Sequence, residues 1–504
     1  MSRREERKKQ EEALRPYPKL FFFFLAIMVW IPLPLGSNRV WSLHLMTALL
    51  FLTLLIWAVS QIIHKAPLGH GLEDHPTPIL LLTLWALYPL IQMIPMPEAL
   101  LERTSGSTVA MLRYAGLQGD HSLSLDLHAT QSAWLLSMAS LAAVWLTLAL
   151  ATTRHRLRLL AYTIVFAGAF QALYGLFEVL TGHEHVWWIP KHTNKGYVTG
   201  TFINRNHLAG FMGLTIPIAF GLMIAWMRSH KNRYTVGEGI QNFMNNLSSK
   251  MGLMGMLVVV MFLGLFLSQS RAGSMALFAS LFLITISTLF RRRRSYRERR
   301  LIVPLILVSI IAGGYFGLGH LTGRFINQEF IEMGRQDVFE ATMRKIADYP
   351  FFGTGGGTFQ FTFPLYRSDR LHAFYDHVHN DHLEVMSDFG LFGYALLVAA
   401  IVAFWSIMFR NYMRRRDPLA RGMLFASLTA SLSFVLHSLV DFNFHIPSNR
   451  ILFLVILAMG LQATVLPHKT RGKRQRDIPG RSLGESYRHP QIKSSRREAG
   501  SQPS

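Results

Sequence analysis

Two polar segments in the C-terminal third contain most of the histidines and carboxylates that could do acid–base chemistry. The first is residues 376–384, with the sequence Asp-His-Val-His-Asn-Asp-His-Leu-Glu, and the second is residues 441–449. A neutral imidazole can take a proton from a hydroxyl group near pH 7. We therefore take His379 as a candidate general base, and Asn380 and Glu384 would orient it or the acceptor. A surface or capping histidine is the alternative. Asp441, a candidate substrate-binding residue at the edge of an apolar run, could pair with Arg271 or Arg335, and helix termination by Pro447 is its alternative.

The same histidine run also permits a metal-binding interpretation. The metallo-β-lactamase-like pattern H-x-H-x-D-H is matched by His377, His379, Asp381 and His382. That fold needs a soluble sandwich with further distant ligands, which a segment between apolar runs cannot supply. Because the chain has no cysteine, zinc would depend on histidines and carboxylates alone. We expect no metal and no cofactor, and a metal-dependent hydrolase is the alternative.

Two arginines stand where a guanidinium group could hold a phosphate. Arg271 lies in a Ser-Arg-Ala-Gly segment between two apolar runs, and Arg335 opens a segment with a helical pattern that ends at Arg344. An arginine well inside a bilayer costs roughly 2.5–3.5 kcal/mol on insertion scales, so Arg271 needs a partner or a polar cavity. Guanidinium groups bind phosphate oxygens bidentately. The alternative for Arg271 is that its side chain reaches the lipid headgroups.

Two further segments could place backbone amides near an anion. Residues 200–210 lead into an apolar run, and the amides at a helix N-terminus favour negative charge. The glycine-rich segment 353–359 can let its amides approach phosphate oxygens, although it lacks the Gly-Lys-Ser/Thr of a nucleotide P-loop. Helix capping and a flexible turn are the alternatives. The candidate substrate-binding residues here are Asn204, Arg205, Asn206, Gly355 and Gly357.

Solid apolar runs define the elements that must position these groups. The chain has 504 residues, half of them hydrophobic, and a formal net charge of +22. A run of roughly 20 apolar residues can cross the hydrocarbon core of a bilayer as a helix. We predict an all-α polytopic membrane protein with about twelve transmembrane helices, at 20–35, 41–63, 78–97, 132–151, 157–180, 207–227, 251–269, 272–290, 301–320, 383–409, 420–440 and 449–466.

Basic residues between these runs predict which side of the membrane each segment faces. Clusters of Lys and Arg lie at 1–19, 154–158, 228–250, 291–300, 410–421 and in the tail, so these segments are cytoplasmic by the positive-inside rule. The predicted order is a basic cytoplasmic N-terminus at 1–19, transmembrane helices 1–9 in 20–320, a large partly helical periplasmic loop at 321–382, helices 10–12 in 383–466, and a basic disordered cytoplasmic tail at 467–504. The candidate groups then share the periplasmic side. The positive charge indicates contact with membrane lipids and no nucleic-acid partner.

In order and spacing, these motifs resemble those of the O-antigen ligase and O-antigen polymerase superfamily of bacterial membrane glycosyltransferases. The resemblance covers roughly residues 130–466. Its carriers are Gly200-Thr-Phe-x-Asn204-x-Asn206, Ser270-Arg271-Ala-Gly273, Arg335 before Gly353-x-Gly355-x-Gly-Thr-Phe359, and His379-Asn380 followed after nine residues by Gly390 and then by Gly393. The extra histidines at 377 and 382 are not part of the family signature.

The resemblance implies a metal-independent, inverting glycosyltransferase in the bacterial inner membrane with a periplasmic active site. Such enzymes move a glycan from undecaprenyl diphosphate to a hydroxyl of lipid A-core, of another lipid-linked repeat unit or of a protein. On the matching positions, Arg271 and Arg335 would bind the diphosphate and stabilise the departing charge, and His379 would activate the acceptor hydroxyl. We expect ligase activity, with a polymerase of O-antigen or exopolysaccharide repeat units as the alternative.

A transporter of lipid-linked sugars is the alternative from another functional class. Glu178 and Asp388 lie in apolar runs, where ionisable groups often mark a transport pathway. Transporters usually show paired halves with broken helices near mid-membrane, and the sequence shows no convincing repeat. The polar groups collect on one predicted side instead, which favours the enzyme.

Overall fold

The computed structural model of the chain describes residues 17–64, 70–229, 250–288, 325–369 and 374–467. Within these ranges the protein is almost wholly helical. A single small antiparallel hairpin is the exception in the described part, and it consists of β1 (His185–Val186) and β2 (Ile189–Pro190). The predicted all-α class is therefore confirmed.

The helices follow the predicted apolar runs. In chain order they are α1 (Pro18–Trp30), α2 (Val40–His64), α3 (His70–Glu73), α4 (Pro76–Met93), α5 (Glu98–Thr104), α6 (Gly106–Tyr114), α7 (Leu127–Leu150), α8 (Arg154–Thr181), α9 (Arg205–Ser229), α10 (Lys250–Leu267), α11 (Arg271–Ser287), α12 (Phe325–Asp348), α13 (Phe359–Thr362), α14 (Asp381–Arg414), α15 (Pro418–His437) and α16 (Pro447–Val465). Short 3-10 helices occur at Leu35–Ser37, Phe363–Leu365 and Asn443–His445.

Eight of the described helices are long and apolar enough to cross a membrane, namely α2, α4, α7, α8, α9, α14, α15 and α16. Three shorter apolar helices, α1, α10 and α11, coincide with the predicted spans at 20–35, 251–269 and 272–290. The protein is thus an integral membrane protein. The predicted span at 301–320 and the predicted tail from 468 onward lie outside the described residues, so about twelve spans stays a prediction.

Helices α9, α15 and α16 form the centre of the bundle. Their most apolar stretches are 83%, 83% and 94% buried inside the protein, against 28% for the peripheral α2. Small residues allow the closest approach, since a side chain at Gly221 of α9 would collide with the backbone of Gly422 of α15. The start of α9, the end of α15 and the start of α16 meet at one end of the bundle, where Asn449 donates to the carbonyl of His207.

Helix α14 is interrupted after its first turns. Gly390 has φ +65° and ψ −177°, a backbone conformation that glycine alone adopts readily. Beyond it, the amides of Leu391 and Phe392 donate to the carbonyls of Pro350 and Phe351 at 2.8 and 3.2 Å. The break therefore lets the chain after α12 pack directly on α14, and it explains why the motif has a glycine at this position.

The predicted loop at 321–382 has more helix than its sequence pattern indicated. Helix α12 spans Phe325–Asp348, whereas the pattern predicted helix only between residues 335 and 344. A separate small core joins this helix to the turns that follow, and its members are Val338, Ala341, Phe359, Phe363 and Val378. Because Val378 belongs to this core, the segment that carries His379 is packed on α12.

Candidate active site

His379 lies where the loop before α14 meets the turn after α15. Its Nδ1 is 4.0 Å from Oδ1 of Asp441, and its ring packs edge-on against Phe442 with ring centres 4.9 Å apart. The side chain is 25% exposed, so a substrate can reach it. His379 has φ +59°, which is strained for a side chain larger than glycine and is often found at functional sites. Asn380 follows it as the N-cap of α14, accepting from the amide of Leu383.

The surroundings keep His379 neutral at pH 7. Burial, and then the positive charge of Arg335, lower the pKa of His379 to about 4. Burial raises the pKa of Asp441 to about 6, while Arg335 acts on it in the opposite direction. Arg335 of α12 is therefore close enough to act on both groups. A neutral imidazole has a free lone pair, and Nδ1 of His379 is buried without a hydrogen-bond partner among the described residues.

Asp441 connects His379 to α9 and α11. The Asn206 side chain lies close enough to Asp441 to lower the pKa of that carboxyl, and Nε2 of His437 lies 3.9 Å from Oδ2 of Asp441. The ring of His437 in turn contacts the start of α11, since a Cβ placed on Gly273 would lie 3.0 Å from His437 Cε1. Arg271 is the first residue of α11, and its Nη1 is buried without a partner in the described part of the chain. The helix that begins at Arg271 therefore packs against His437 through Gly273, while the Arg271 side chain makes no contact with Asp441 or His379 that the described residues show.

The other predicted residues of the 200–210 motif have local roles. Oδ1 of Asn204 accepts from the amide of Asn206 at 2.9 Å, which is the capping alternative. The guanidinium of Arg205 stacks over the ring of Tyr197 at 4.1 Å. Asn206 is therefore the member of this motif that the structure brings to His379 and Asp441.

The glycine turn is packed against α14, which corrects the expectation that its amides face a phosphate. The amide of Gly355 donates to the carbonyl of Asp388 at 3.0 Å, and that of Gly357 donates to its carboxylate at 2.7 Å. The amide of Gly356 donates to the side chain of Gln92. Since these amides have acceptors within the protein, the turn supports the site and does not offer them to a ligand. The φ values of +105° at Gly355 and +74° at Gly357 explain the glycines.

Glu384 holds the histidine segment to the first turn of α14. Its Oε1 accepts from Nδ1 of His377 at 2.6 Å, and its Oε2 accepts from the amide of Val378 at 2.9 Å. The ring of His377 also stacks on Phe442, with ring centres 4.2 Å apart. The buried Glu384 therefore positions His377 and Val378, the residues that precede His379.

The set His377, Glu384 and His445 has the residue types of a metal site, with ligand atoms within 4.8 Å of one another. A tetrahedral ion with bonds of 2.0–2.1 Å separates its ligand atoms by about 3.3 Å. The 2.6 Å between His377 and Glu384 is instead a hydrogen-bond distance, so the two groups share a proton. The run predicted from the sequence is also split, because Nδ1 of His382 bonds to the hydroxyl of Tyr394 at 3.1 Å.

Sequence reasoning missed two members of this network, His445 and Asp381. Nδ1 of His445 lies 2.8 Å from Oδ1 of Asp381, and its Nε2 lies 3.3 Å from Oε1 of Glu384. The signal in the sequence was weak: two segments rich in His and Asp lie about sixty residues apart, on either side of two apolar runs. Only the packing of α14 against α15 shows that these segments meet.

The two intramembrane carboxylates that suggested a transport pathway have partners within the fold. Oε2 of Glu178 pairs with Nζ of Lys191 at 3.0 Å, and Oδ1 of Asp388 lies 3.7 Å from Nζ of Lys345. All four side chains are almost fully buried. These pairs join loops to helices, and they do not line a path.

The family comparison agrees with the residues collected here. The sequence model described as O-Antigen ligase matches residues 256–398, a segment that includes Arg271, Arg335, His379 and Glu384. No curated protein matches the chain. The family description indicates ligase- or polymerase-type function, which implies a lipid-linked glycan donor and a glycan or lipid acceptor in the membrane. This match over residues 256–398 confirms the resemblance predicted from the motifs.

Proposed function

We propose that the protein is an O-antigen ligase-like glycosyltransferase that moves a glycan from undecaprenyl diphosphate to a hydroxyl of lipid A-core. The observation that carries this proposal is the neutral His379 beside Asp441, with the charge of Arg335 acting on both. The family match over residues 256–398 supports the reaction class. The reaction inverts the anomeric centre, needs no metal, and takes place at the periplasmic face of the bacterial inner membrane.

In this mechanism His379 accepts the proton of the acceptor hydroxyl while that oxygen attacks the anomeric carbon. The bond from the anomeric carbon to the diphosphate breaks in the same step, and the diphosphate leaves with the electron pair. A base with a pKa of about 4 is weak. A bound diphosphate would offset the charge of Arg335, which raises the pKa of His379 and makes it a stronger base once the donor is present.

The two arginines stabilise the leaving group. Arg335 lies close enough to His379 to act on its pKa, and Arg271 has a buried Nη1 free to donate. Charge stabilisation by fixed cations in a water-poor site is often the largest contribution to catalysis. Because a diphosphate already leaves readily, two guanidinium groups are sufficient assistance. The carboxylate of Asp441 lies 4.0 Å from Nδ1 of His379, where its negative charge stabilises the imidazolium that forms when His379 takes the proton.

The test is glycan transfer by the full-length protein in lipid nanodiscs. We would supply a lipid-diphosphate glycan with lipid A-core, a second lipid-linked repeat unit, or a peptide, each with and without EDTA. We expect transfer to lipid A-core that EDTA does not change, and losses of about 10²–10⁴-fold in His379→Ala and about 10²–10³-fold in Arg335→Ala and Arg271→Ala.

A matched control is Arg113→Ala, which removes an exposed guanidinium that pairs with Glu98 and should leave transfer unchanged. Transfer to the lipid-linked repeat alone would make the protein a polymerase. Full activity of His379→Ala, or no transfer by folded wild-type protein with any acceptor, would overturn the catalytic proposal.

A further inference from the structure

We infer that His445 is a positioning residue that bridges Asp381 and Glu384 and thereby fixes the segment carrying His379. The inference rests on the proposed function of His379 and adds a residue that neither the family motifs nor the proposed mechanism contain. His445 ends the short 3-10 helix between α15 and α16.

Both ring nitrogens of His445 lie next to a carboxylate. Nδ1 is 2.8 Å from Oδ1 of Asp381, and Nε2 is 3.3 Å from Oε1 of Glu384. An ionised carboxylate only accepts hydrogen bonds, and a neutral imidazole has only one N–H to give. Two carboxylates beside one ring therefore favour an imidazolium ion, which Asp381 holds through a charge-assisted hydrogen bond and Glu384 through its charge.

Each of the two carboxylates holds a different piece of chain. Oδ2 of Asp381 accepts from the hydroxyl of Ser438 at 2.7 Å and from the amide of Phe444 at 2.8 Å, so it fixes the turn after α15. Glu384 accepts from His377 and from the amide of Val378, so it fixes the segment before α14. His379 follows directly in the strained conformation with φ +59°. The His445 bridge thus sets the position of His379 relative to Asp441, since the two residues belong to the two pieces it joins.

The charges that face His445 come from every element around it. Three carboxylates come from α14, namely Asp381, Glu384 and Asp388. The ring centre of His377 lies 5.3 Å from that of His445. The guanidinium of Arg450 in α16 lies over the ring of Phe444, the residue before His445. Burial alone lowers the pKa of His445, but the charge of Glu384 and the hydrogen bond and charge of Asp381 outweigh it and raise the pKa to about 9.

The sign of the pH dependence follows from this raised pKa. A histidine whose folded pKa lies above its unfolded value stabilises the structure fully below pH 6.5 and loses that contribution as the pH rises through about 9. The bridge is therefore complete at neutral pH. It opens in alkaline solution, where the two carboxylates lose their common cationic partner.

The experiment compares His445→Gln with His445→Lys over the pH range 6–10. The glutamine removes the charge and offers donors from one nitrogen only, so we expect kcat to fall roughly 10²-fold at neutral pH, because a displacement of about 1 Å at a reacting group costs this much. Above about pH 9 the difference from wild type should narrow, since the wild-type bridge opens there too. The KM for the lipid donor should stay within about twofold, since Arg271 and Arg335 are untouched. The lysine can donate to both carboxylates, so it should restore part of kcat and move the alkaline limb of the pH profile upward from about 9.

The control is His44→Gln, an exposed histidine whose Nδ1 bonds only to the carbonyl of Val40 in the described structure, and it should change neither kcat nor the pH profile. A purely structural role would lower the yield of folded protein but leave the pH profile of the folded fraction unchanged. Any of three results would overturn the inference. His445→Gln could keep full activity, or His445→Lys could leave the alkaline limb of the pH profile unmoved. Elemental analysis could also find one zinc per chain that is lost when His445 is replaced.

Failure of the proposed function is distinguishable from failure of the bridge. If wild-type protein transfers no glycan, the proposed function is wrong, while hydrogen exchange still tests the bridge. Exchange of the amides at 374–380 should be at least tenfold faster in His445→Gln than in wild type at pH 7. Equal protection in the two proteins would show that His445 does not hold this segment.

Discussion

Single side chains determine the protonation state of the candidate site. The pKa of His379 is lowered to about 4 and that of Asp441 is raised to about 6. The two groups, which face each other at 4.0 Å, therefore titrate in neighbouring pH ranges. Arg335 lowers both pKa values, because it disfavours a second positive charge on His379 and favours the negative charge on Asp441. Arg335, which would bind the diphosphate of the donor, therefore also affects how strong a base His379 is.

Replacing Arg335 with glutamine should raise the pKa of His379. Removing the positive charge leaves burial as the main cause of the lowered value, so the pKa should move from about 4 part of the way toward its ordinary value. NMR titration of labelled histidines would measure this shift. Arg344→Gln is the matched control, because Arg344 lies on the same helix but is exposed and donates to the carbonyl of Tyr366. An unchanged His379 pKa in Arg335→Gln would show that Arg335 does not act on the base.

A buried ion pair connects α12 to α14 beneath the site. Lys345 and Asp388 are both fully buried, and Lys345 also lies over the ring of Phe359 at 5.3 Å. Lys345→Met would leave the carboxylate of Asp388 buried without its cation, which should cost about 3–5 kcal/mol of stability. Thermal unfolding in detergent measures the loss. The double variant Lys345→Met, Asp388→Asn should recover part of it, and equal stability of Lys345→Met and wild type would contradict a stabilising pair.

At the scale of helices, the break in α14 is the feature on which the site depends most. Gly390 lets the chain after α12 lie against the helix, and the first turns of α14 carry both carboxylates that His445 bridges. The polar site and the membrane-spanning part of α14 are therefore separate pieces of one helix. The motif His379-Asn380, nine intervening residues and then Gly390 describes this arrangement.

Gly390→Ala should disturb both stability and transfer. The φ of +65° with ψ −177° is strained for alanine, and its Cβ would collide with the backbone of Phe351. We expect a loss of about 1–3 kcal/mol in unfolding free energy from the backbone strain alone, and lower transfer activity. Gly255→Ala in α10 is the control, because its Cβ would meet nothing within 4 Å and alanine is the better helix former. A Gly390→Ala protein as stable as wild type would mean that α14 can pass this point unbroken.

How much the sequence predicted depends on the element. Apolar runs predicted the described long helices because every residue of a span must satisfy its backbone within the helix. The histidine, both arginines and Asp441 were identified by residue type. The bridge formed by His445 was not predicted, because it joins groups that lie on either side of two apolar runs in the sequence. The prediction that the amides of the glycine turn face a phosphate was wrong, because nothing in the sequence shows that Asp388 accepts hydrogen bonds from them.

Across the whole molecule, the distribution of basic residues predicts a topology that the helices themselves do not test. The chain lacks cysteine, so single introduced cysteines report their side of the membrane without background. Phe374→Cys lies in the predicted periplasmic loop on an exposed side chain, and Arg416→Cys lies in a predicted cytoplasmic loop. In intact spheroplasts an impermeant maleimide should label the first and not the second. The opposite pattern would place the candidate site in the cytosol and end the proposed mechanism.

The number of residues between His379 and Gly390 also fixes the direction in which the side chains of the first turns of α14 point. An α-helix turns about 100° per residue, so the number of residues before Gly390 sets which way Asp381 and Glu384 point relative to the rest of α14. One residue inserted between Glu384 and Gly390 would rotate both carboxylates by about 100°. The membrane-spanning portion would keep its neighbours, and the carboxylates would face away from His445. Evolution can therefore lengthen the loop before His379 far more easily than it can change the spacing after it.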